Sequence, residues 1–580
     1  MRHLLRFLHS LALLGLVGLP LVGGALAAQE PRPATLFTGG TVFAGFDGRR
    51  AEPLRRQGSS SAILVQGGRI VGIGNEGELA SLEAGRGARR VDLTGGFIYP
   101  GFQDAHGELE RLGRDLEHVE LSGCADVSEL IQALQARAAA LPAGRWVRAG
   151  GWHSVEVGGA TAEARRSLAV AITVALPDHP VILREVSGEG ILLNEAGWSA
   201  SGLGDGGSKA SGDQAGARAA GSGGWLDGAG ADAVQAGLPA PTGEDRARRI
   251  LRAQEVLLGA GVTCVHVMGL DSGEARALAQ LRADGRLRIR VVGYLDAGVD
   301  ASAEEWSVWE RDPIGADRFE MVGVSLRLDG SLAAGGAALG EAYKVPPGER
   351  GTLSVGFARA SDLVTGAARL GRQPAIQCAG DRAVGLAIDI YDRVRSDVPG
   401  FIGLRPRLEG LDLSTSAERS RLGPLAIVPS VQPARLARQA VWAAERLGRD
   451  RALGVQAWRS LLAASSQPLA LGSGYPAGAT DPRLTFFAGV SRRSASEPAA
   501  SGFIVGEGLT ANEVLGGMTS GAAFAATQED RRGLLARGYG GDLTVLDVDL
   551  TQLGQGDARR ALDATVLMTV VNGEILHDAR

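Results

Sequence analysis

The 580-residue chain has few cysteines, few aromatic residues and no block of like charge. Its three cysteines are far apart and odd in number, so an oxidising compartment would leave at least one thiol unpaired. The 60 basic residues are balanced by 65 acidic ones and form no cluster that follows a phosphate backbone, which argues against nucleic-acid binding. Only 5% of the residues are aromatic but 86 are glycine, a composition that suggests a loop-rich enzyme fold.

The only apolar run long enough to approach a membrane span lies at the amino terminus. It follows a basic start, MRHLLR, and ends at Ala25-Leu26-Ala27, a small-x-small pattern of the kind at which signal peptides are cleaved. This pattern predicts a signal peptide over residues 1–27 and a secreted or periplasmic protein with no membrane contact after cleavage. An uncleaved membrane anchor is the alternative. The run is near the shorter limit for a span, which favours the signal peptide.

Both ends of the remaining chain have the pattern of β structure. Residues 35–98 contain strand-like runs such as SAILVQGGRIVGIG between Gly-rich turns, and residues 530–580 contain GGDLTVLDVDL and ATVLMTVVNGEILHD. Asn572-Gly573 in the last run is a hairpin signal. We expect the two ends to form one small β-sandwich.

Residues 99–529 alternate strand-like and helical patterns, as a parallel α/β barrel requires. Thr242 and Asp245 can form a capping box for a helix that ends at Gly259, and the run VTCVHV predicts a buried strand that ends at His266. Further runs predict comparable strands: VILREV, MVGVSLRLDG, PAIQCAG, LAIVPSVQP and PLALGSG. The Gly- and Ser-rich segment 199–224 has no periodicity and predicts a disordered surface insertion, with a functional lid as the alternative.

Nine segments resemble, in order, the metal-dependent amidohydrolase superfamily, and more narrowly its branch of N-substituted formamide deformylase-like and exoenzyme-regulatory proteins. They are GGRIVGIG, YPGFQDAH, GWHSVEV, AIQCAGDRAVGLAID, RPRLEG, WRSLLAASSQPLALGSGYP, LTANEVLGGMTSGAAFA, EDRRGLLARGYGGDLTVLD and VLMTVVNGE. The resemblance implies a TIM-like (β/α)8 barrel with a β-sandwich built from both chain ends. It also implies hydrolysis of non-peptide C–N bonds by a metal-bound hydroxide at the mouth of the barrel.

Most of the ligand positions that the resemblance implies carry other residues here. The first-strand His-x-His pair falls on His106 and Glu108, so one histidine is retained. The remaining metal, substrate and proton-transfer positions fall on Glu189, Ser325, Gln377, Gly410 and Gly474. A glycine has no side chain with which to bind a metal or move a proton.

The histidine content agrees with this loss. Of eight histidines, His3 and His9 belong to the predicted signal peptide, and His106, His153 and His266 lie near predicted strand ends. A binuclear centre usually draws on about four histidines together with carboxylates. We therefore expect no cofactor, and a catalytic site that is lost or altered.

Two alternatives retain chemistry in the pocket. A rewired single-metal hydrolase would bind Zn, Mn or Fe through His106, Glu108 and His266. Metal-free acid–base catalysis would use Glu108 and Glu189, if both faced one cavity. Three further carboxylates, Asp104, Asp329 and Glu409, are either replacement metal ligands or structural residues. In the structural interpretation, Glu409 pairs with Arg405 or Arg407. The two aspartates then cap loops or pair with arginines such as Arg327.

A binding protein that keeps the old pocket is a further interpretation. Glu108 and Glu189 would then favour a cationic or hydroxyl-rich small molecule. The expected pocket-lining residues are His106, Glu108, Trp152, His153, Glu189, His266, Arg327, Gln377 and Gln432. For Trp152 the competing interpretation is packing, and for His266 it is a hydrogen-bonded structural histidine. An interaction protein that uses the outer helices or the 199–224 insertion is the third class.

Overall fold

The fold is that of a computed structural model. It describes residues 34–47, 61–121, 124–152, 157, 161–185, 190–202, 223–298, 301–307, 309, 318–332, 335–345, 347–495 and 501–580. The predicted signal peptide and residues 203–222 of the predicted insertion lie outside these ranges. Among the helices so described, none combines the length and the apolar character that a membrane span needs.

The strands are numbered in chain order. They are β1 (Thr35–Thr38), β2 (Thr41–Val42), β3 (Ala62–Gln66), β4 (Arg69–Gly74), β5 (Arg89–Asp92), β6 (Phe97–Pro100), β7 (Phe102–Gly107), β8 (Val119–Glu120), β9 (Val147–Trp152), β10 (Val181–Glu185), β11 (Gly190–Leu193), β12 (Gly224–Asp227), β13 (Val262–Leu270), β14 (Arg290–Asp296), β15 (Phe319–Arg327), β16 (Gln373–Cys378), β17 (Arg407–Gly410), β18 (Val428–Val431), β19 (Ala470–Leu471), β20 (Leu543–Leu546), β21 (Val566–Val571) and β22 (Glu574–Asp578).

The α-helices follow the same convention. They are α1 (Glu76–Ser81), α2 (Leu109–Asp115), α3 (Val127–Ala138), α4 (Ala162–Ala175), α5 (Glu195–Ala200), α6 (Gly228–Gly237), α7 (Gly243–Gly259), α8 (Ser272–Ala283), α9 (Ala303–Ser307), α10 (Phe357–Arg369), α11 (Asp381–Asp397), α12 (Ser416–Ser420), α13 (Leu436–Leu447), α14 (Arg449–Ala452), α15 (Trp458–Ala464), α16 (Pro482–Ser491), α17 (Ala511–Gly517) and α18 (Ser520–Ala525).

Eight parallel strands form the central sheet, in the order β7-β13-β14-β15-β16-β17-β18-β19. The two edge strands come together where the Gly474 N–H, just beyond β19, donates to the His106 carbonyl in β7 at 2.8 Å. The sheet is thus almost closed, and helices such as α7, α8, α10 and α11 pack outside it. The prediction of a TIM-like barrel is confirmed.

Both chain ends build the predicted sandwich. One sheet has the order β4-β3-β1-β5, and the other, β2-β6-β20-β21-β22, combines strands from the two ends of the chain. The two sheets share a core that includes Phe37, Ile63, Val545 and Met568. Asn572 and Gly573 both have positive φ, 58° and 73°, in the turn between β21 and β22, which confirms the hairpin.

A further five-stranded sheet, β12-β11-β10-β9-β8, lies in the chain between the first and second barrel strands. It has its own hydrophobic core, to which α3 and α4 contribute. The run VILREV forms β10 of this sheet, so its placement among the barrel strands was wrong. Its apolar pattern is the same as that of a barrel strand, and the pattern alone does not identify the neighbouring strand.

The first complete helix–strand unit of the barrel follows this sheet. The Thr242–Asp245 capping box is present, and α7 ends at Gly259 as predicted. Strand β13 continues to Leu270, four residues beyond the predicted end at His266, because Val267 and Met268 extend the buried run. His266 therefore lies within the strand rather than at its mouth.

Candidate functional site

A pocket of about 190 Å³ opens at the carboxyl ends of the barrel strands, where barrel enzymes place their catalytic residues. His106 and Glu108 reach it from the end of β7, and Arg327 from the end of β15. Gln377 and Glu409 come from β16 and β17. The pocket is also lined by residues at or after the ends of barrel strands: Asp329, Gly410, Asp412, Arg435, Gly474 and Tyr475.

Glu409 is the centre of the floor of this pocket. Its side chain is fully buried, and one oxygen accepts a hydrogen bond from Arg407 Nε at 2.7 Å. The other oxygen lies 2.8 Å from His106 Nδ1. Burial alone would raise the pKa of Glu409, but the charge of Arg407 and the bond from His106 lower it below its ordinary value. The carboxylate is therefore ionised, and both of its oxygens are engaged.

His106 is oriented by this bond. An ionised carboxylate only accepts hydrogen bonds, so Nδ1 carries the hydrogen of this bond. The side chain is 12% exposed, and within the described residues Nε2 has no hydrogen-bond partner. One imidazole nitrogen thus remains available to a molecule in the pocket.

Arg407 fills the barrel beneath His106 and Glu409. Its guanidinium donates to Tyr294 Oη at 2.9 Å, to the Ala105 carbonyl at 2.9 Å and to Ser430 Oγ at 3.2 Å. Of the two arginines that the sequence left open as partners of Glu409, Arg407 is thus the one that binds it, because residues two apart on a strand share a face. Arg405 instead pairs with Glu529.

His266 lies at the same buried level. Its Nδ1 is 3.1 Å from Arg407 Nη1 and accepts from it, since a guanidinium has no acceptor. Burial, followed by the charge of Arg407, lowers the pKa of His266 well below its usual range, so the ring is neutral. Nε2 is buried and has no partner within the described residues. His266 does not line the pocket, because β13 places it within the interior of the barrel.

Two aspartates hold loops beside the pocket through hydrogen bonds, most of them from backbone N–H groups. Asp104 accepts from Ser473 Oγ at 2.6 Å and from the Ser473 N–H at 2.9 Å, which joins β7 to the chain after β19. Asp329 accepts from three backbone N–H groups, those of Ala338, Ala379 and Gly380. Burial raises the pKa of Asp329 to about 6 despite these bonds. Both aspartates act as loop caps, as the structural interpretation expected.

Glu108 forms an ion pair with Arg111. Its carboxylate lies 3.3 Å from Arg111 Nη1, one turn further along the chain. The pairing of Glu108 with Glu189 in acid–base catalysis has no structural description, because Glu189 lies outside the described residues. His153 also lies outside them.

Two further expected pocket residues lie elsewhere. Trp152 belongs to β9 of the separate five-stranded sheet, where its buried ring donates from Nε1 to the Val157 carbonyl at 2.8 Å. Its role is packing in that second core. Gln432 is 1% exposed and donates to the Ser430 carbonyl at 3.2 Å, so it supports the end of β18 beneath the pocket.

Sequence reasoning did not single out several residues that line the pocket, among them Arg111, Asp412, Arg435 and Tyr475. Asp412 binds Arg435 at 2.9 Å and accepts from Gln456 at 2.9 Å. Asp412 lies two residues after the observed strand β17, and Tyr475 directly follows the predicted strand PLALGSG. Position just after a barrel strand was the signal that identified the other lining residues.

The side chains of the pocket do not fit the divalent metal that the resemblance implies. A metal ion needs several nitrogen or oxygen ligands that converge on one point. Here His106 offers only Nε2, because its Nδ1 is bonded to Glu409, the two oxygens of Glu409 are already engaged, and Gln377 donates its amide to Ser325 at 2.8 Å. Over the ranges that the structure describes, no group of three His, Cys, Asp or Glu side chains has a metal-binding arrangement.

Comparison with known proteins agrees with the fold. The family described as "Amidohydrolase family" matches residues 89–577. A putative amidohydrolase, YtcJ, of Bacillus subtilis is 24% identical over 90% of this chain and 96% of its own length. The N-substituted formamide deformylase of Arthrobacter pascens is 24% identical over 90% of this chain and 96% of its own length. A solved uncharacterized metal-dependent hydrolase of Pyrococcus horikoshii has 25% identity and a TM-score of 0.74, covering 90% of this chain and 99% of its own.

Proposed function

Because the chain belongs to the amidohydrolase family, we propose that it is a member whose metal-hydroxide reaction is lost and whose pocket still binds a small molecule. The observation that carries this proposal is the set of hydrogen bonds that Glu409 and His106 already make. Glu409 is committed to Arg407 and to His106, and His106 offers a single free nitrogen. Hydroxide generation near neutral pH needs a metal held by three or more ligands.

The substituted positions support the same proposal. Gly410 and Gly474 line the pocket where the resemblance implies a histidine and an aspartate, and both have positive φ, 93° and 65°. Neither can supply a ligand or a proton acceptor. Ser325 is buried and accepts a hydrogen bond from Gln377, so it contributes no amine in place of the implied lysine. The named activity of the formamide deformylase relative is therefore not transferred to this chain.

The pocket itself favours retained binding. Its acidic side chains are held by defined partners, for example Asp329 by three backbone N–H groups and Asp412 by Arg435 and Gln456. Ordered polar groups around a concave space are the usual features of a ligand site. A binding protein built on the family scaffold accounts for the intact pocket and for the absence of the implied ligand set from it.

A hydrolysis assay tests the proposal. Purified wild-type protein is incubated with N-substituted formamides and added Zn²⁺, Mn²⁺ or Fe²⁺, with and without EDTA. The Arthrobacter pascens deformylase serves as the positive control. We expect no hydrolysis above the protein-free rate under any of these conditions. Turnover that EDTA abolishes and added metal restores would contradict the proposal.

A further inference from the structure

We propose that the ligand of the pocket is a small carboxylate anion and that Arg327 binds its carboxylate. This inference rests on the proposed function, since it specifies what the metal-free pocket holds. Arg327 is the last residue of β15, its side chain is exposed, and it lines the pocket. A planar guanidinium binds a carboxylate through two parallel hydrogen bonds.

Arg327 differs from the other arginines of the pocket because no carboxylate is paired with it among the described residues. Within the described residues it has no hydrogen bond and no carboxylate oxygen within 4.0 Å. Its electrostatic neighbour is Asp296, whose pKa burial raises and the charge of Arg327 lowers. By contrast, Arg111 pairs with Glu108, and Arg435 pairs with Asp412.

The carboxylates that line the pocket are already engaged. Glu108 and Asp412 have arginine partners, Asp329 accepts three backbone N–H groups, and Glu409 is held by Arg407 and His106. A cationic ligand would have to compete with these partners. An anion meets an arginine whose donors are free, so the described charges favour the anion.

The remaining open group suggests what else the anion carries. His106 lines the pocket and its Nε2 has no partner among the described residues, so it can hydrogen-bond to a hydroxyl near the carboxylate. A volume of about 190 Å³ limits the ligand to a small molecule. Lactate is a suitable probe because it is a small hydroxy acid. Malonate and benzoate are two further carboxylates that vary the size of the ligand.

Isothermal titration calorimetry with lactate, malonate and benzoate, each compared with its amide, tests the inference. We expect at least one acid to bind wild-type protein while its amide does not. Arg327→Gln should weaken that binding by at least about tenfold, since a hydrogen-bonded charge is lost. Arg393→Gln is the matched control, because Arg393 is 62% exposed and lies on α11 outside the barrel, and its substitution removes the same charge.

The outcomes separate this inference from the function on which it rests. No binding of any acid, equal binding of acid and amide, or undiminished binding to Arg327→Gln would overturn the anion assignment. An unchanged melting temperature of Arg327→Gln excludes unfolding as the cause of lost binding. Measuring metal in the same samples distinguishes the two failures: stoichiometric metal would contradict the proposed function, whereas metal-free protein without anion binding would contradict only the ligand class.

Discussion

Glu409 is the residue on which the arrangement of the pocket depends. It is fully buried, as is Arg407, and the two form a hydrogen-bonded ion pair in the interior of the barrel. Removing one member of a buried pair leaves the other charge without compensation, which costs far more than losing a surface pair. The position of His106 depends on the same carboxylate.

We predict that Glu409→Gln lowers the free energy of unfolding by about 3–5 kcal/mol at neutral pH. Because the folded-state pKa of Glu409 lies below its ordinary value of 4.5, its stabilising effect is present above that pH and is lost as the pH falls through the folded pKa. Urea denaturation at several pH values should show the difference between wild type and variant shrinking in acid.

Glu76→Gln provides a matched comparison for that experiment. Glu76 pairs with Arg90 on the surface, where the two side chains are 44% and 62% exposed. Exposed pairs contribute little, typically below about 1 kcal/mol. Equal destabilisation by the two substitutions would contradict the structural role assigned to Glu409.

At the scale of elements, α2 and α7 cross at a point where only glycine fits. A Cβ at Gly113 of α2 would lie 1.9 Å from the Arg249 carbonyl oxygen of α7. That atom belongs to the backbone of a helix and cannot move aside without shifting the helix. Because α2 directly follows the strand that carries His106, and Glu108 is its N-cap residue, its packing helps to fix the rim of the pocket.

We predict that Gly113→Ala lowers the free energy of unfolding by about 1–3 kcal/mol, because the two helices must separate. Gly259→Ala is the matched control at the end of α7, where an added Cβ meets nothing within 4 Å. In that open helical position alanine should raise stability by about 0.5–1 kcal/mol. Thermal and urea unfolding measure both changes, and a stabilising Gly113→Ala would contradict the close crossing.

The helices and strands also show which features of the fold local sequence patterns can predict. Helix α7 was predictable to its last residue because its end signals are local. Thr242 and Asp245 form the capping box at its start, and Gly259 is its last residue. Strand β10 was assigned to the wrong sheet because its partners, β9 and β11, are selected by packing in a second core. Its own residues do not specify those partners.

At the scale of the molecule, the sandwich secures the end of the barrel opposite the pocket. Arg290, at the start of β14, forms a buried bidentate pair with Asp542, with distances of 2.7 and 2.9 Å. Thr544 accepts from the Phe102 N–H at 3.0 Å and donates to the Gly261 carbonyl at 2.7 Å. These contacts hold the first residues of barrel strands, so side chains at the carboxyl ends can change without removing them.

This separation explains which parts of the site were predictable. The positions of His106, Glu108, Arg327 and Gln377 at the pocket follow from strand ends that apolar runs reveal. The commitment of Glu409 to both Arg407 and His106 depends on strands that are distant in sequence, since Glu409 and His106 are 303 residues apart. That Arg327 has no ion-pair partner among the described residues likewise depends on tertiary contacts, because the nearby carboxylates pair with other groups.

Metal content is the most direct test of the central claim that this family member has lost its metal site. Protein purified without a polyhistidine tag or chelator, with Zn²⁺, Mn²⁺ or Fe²⁺ added back and the excess removed, is measured by inductively coupled plasma mass spectrometry. The account predicts metal at background under every condition. Near-stoichiometric metal that is lost in His106→Ala or Glu108→Ala would contradict it and would establish a rewired site.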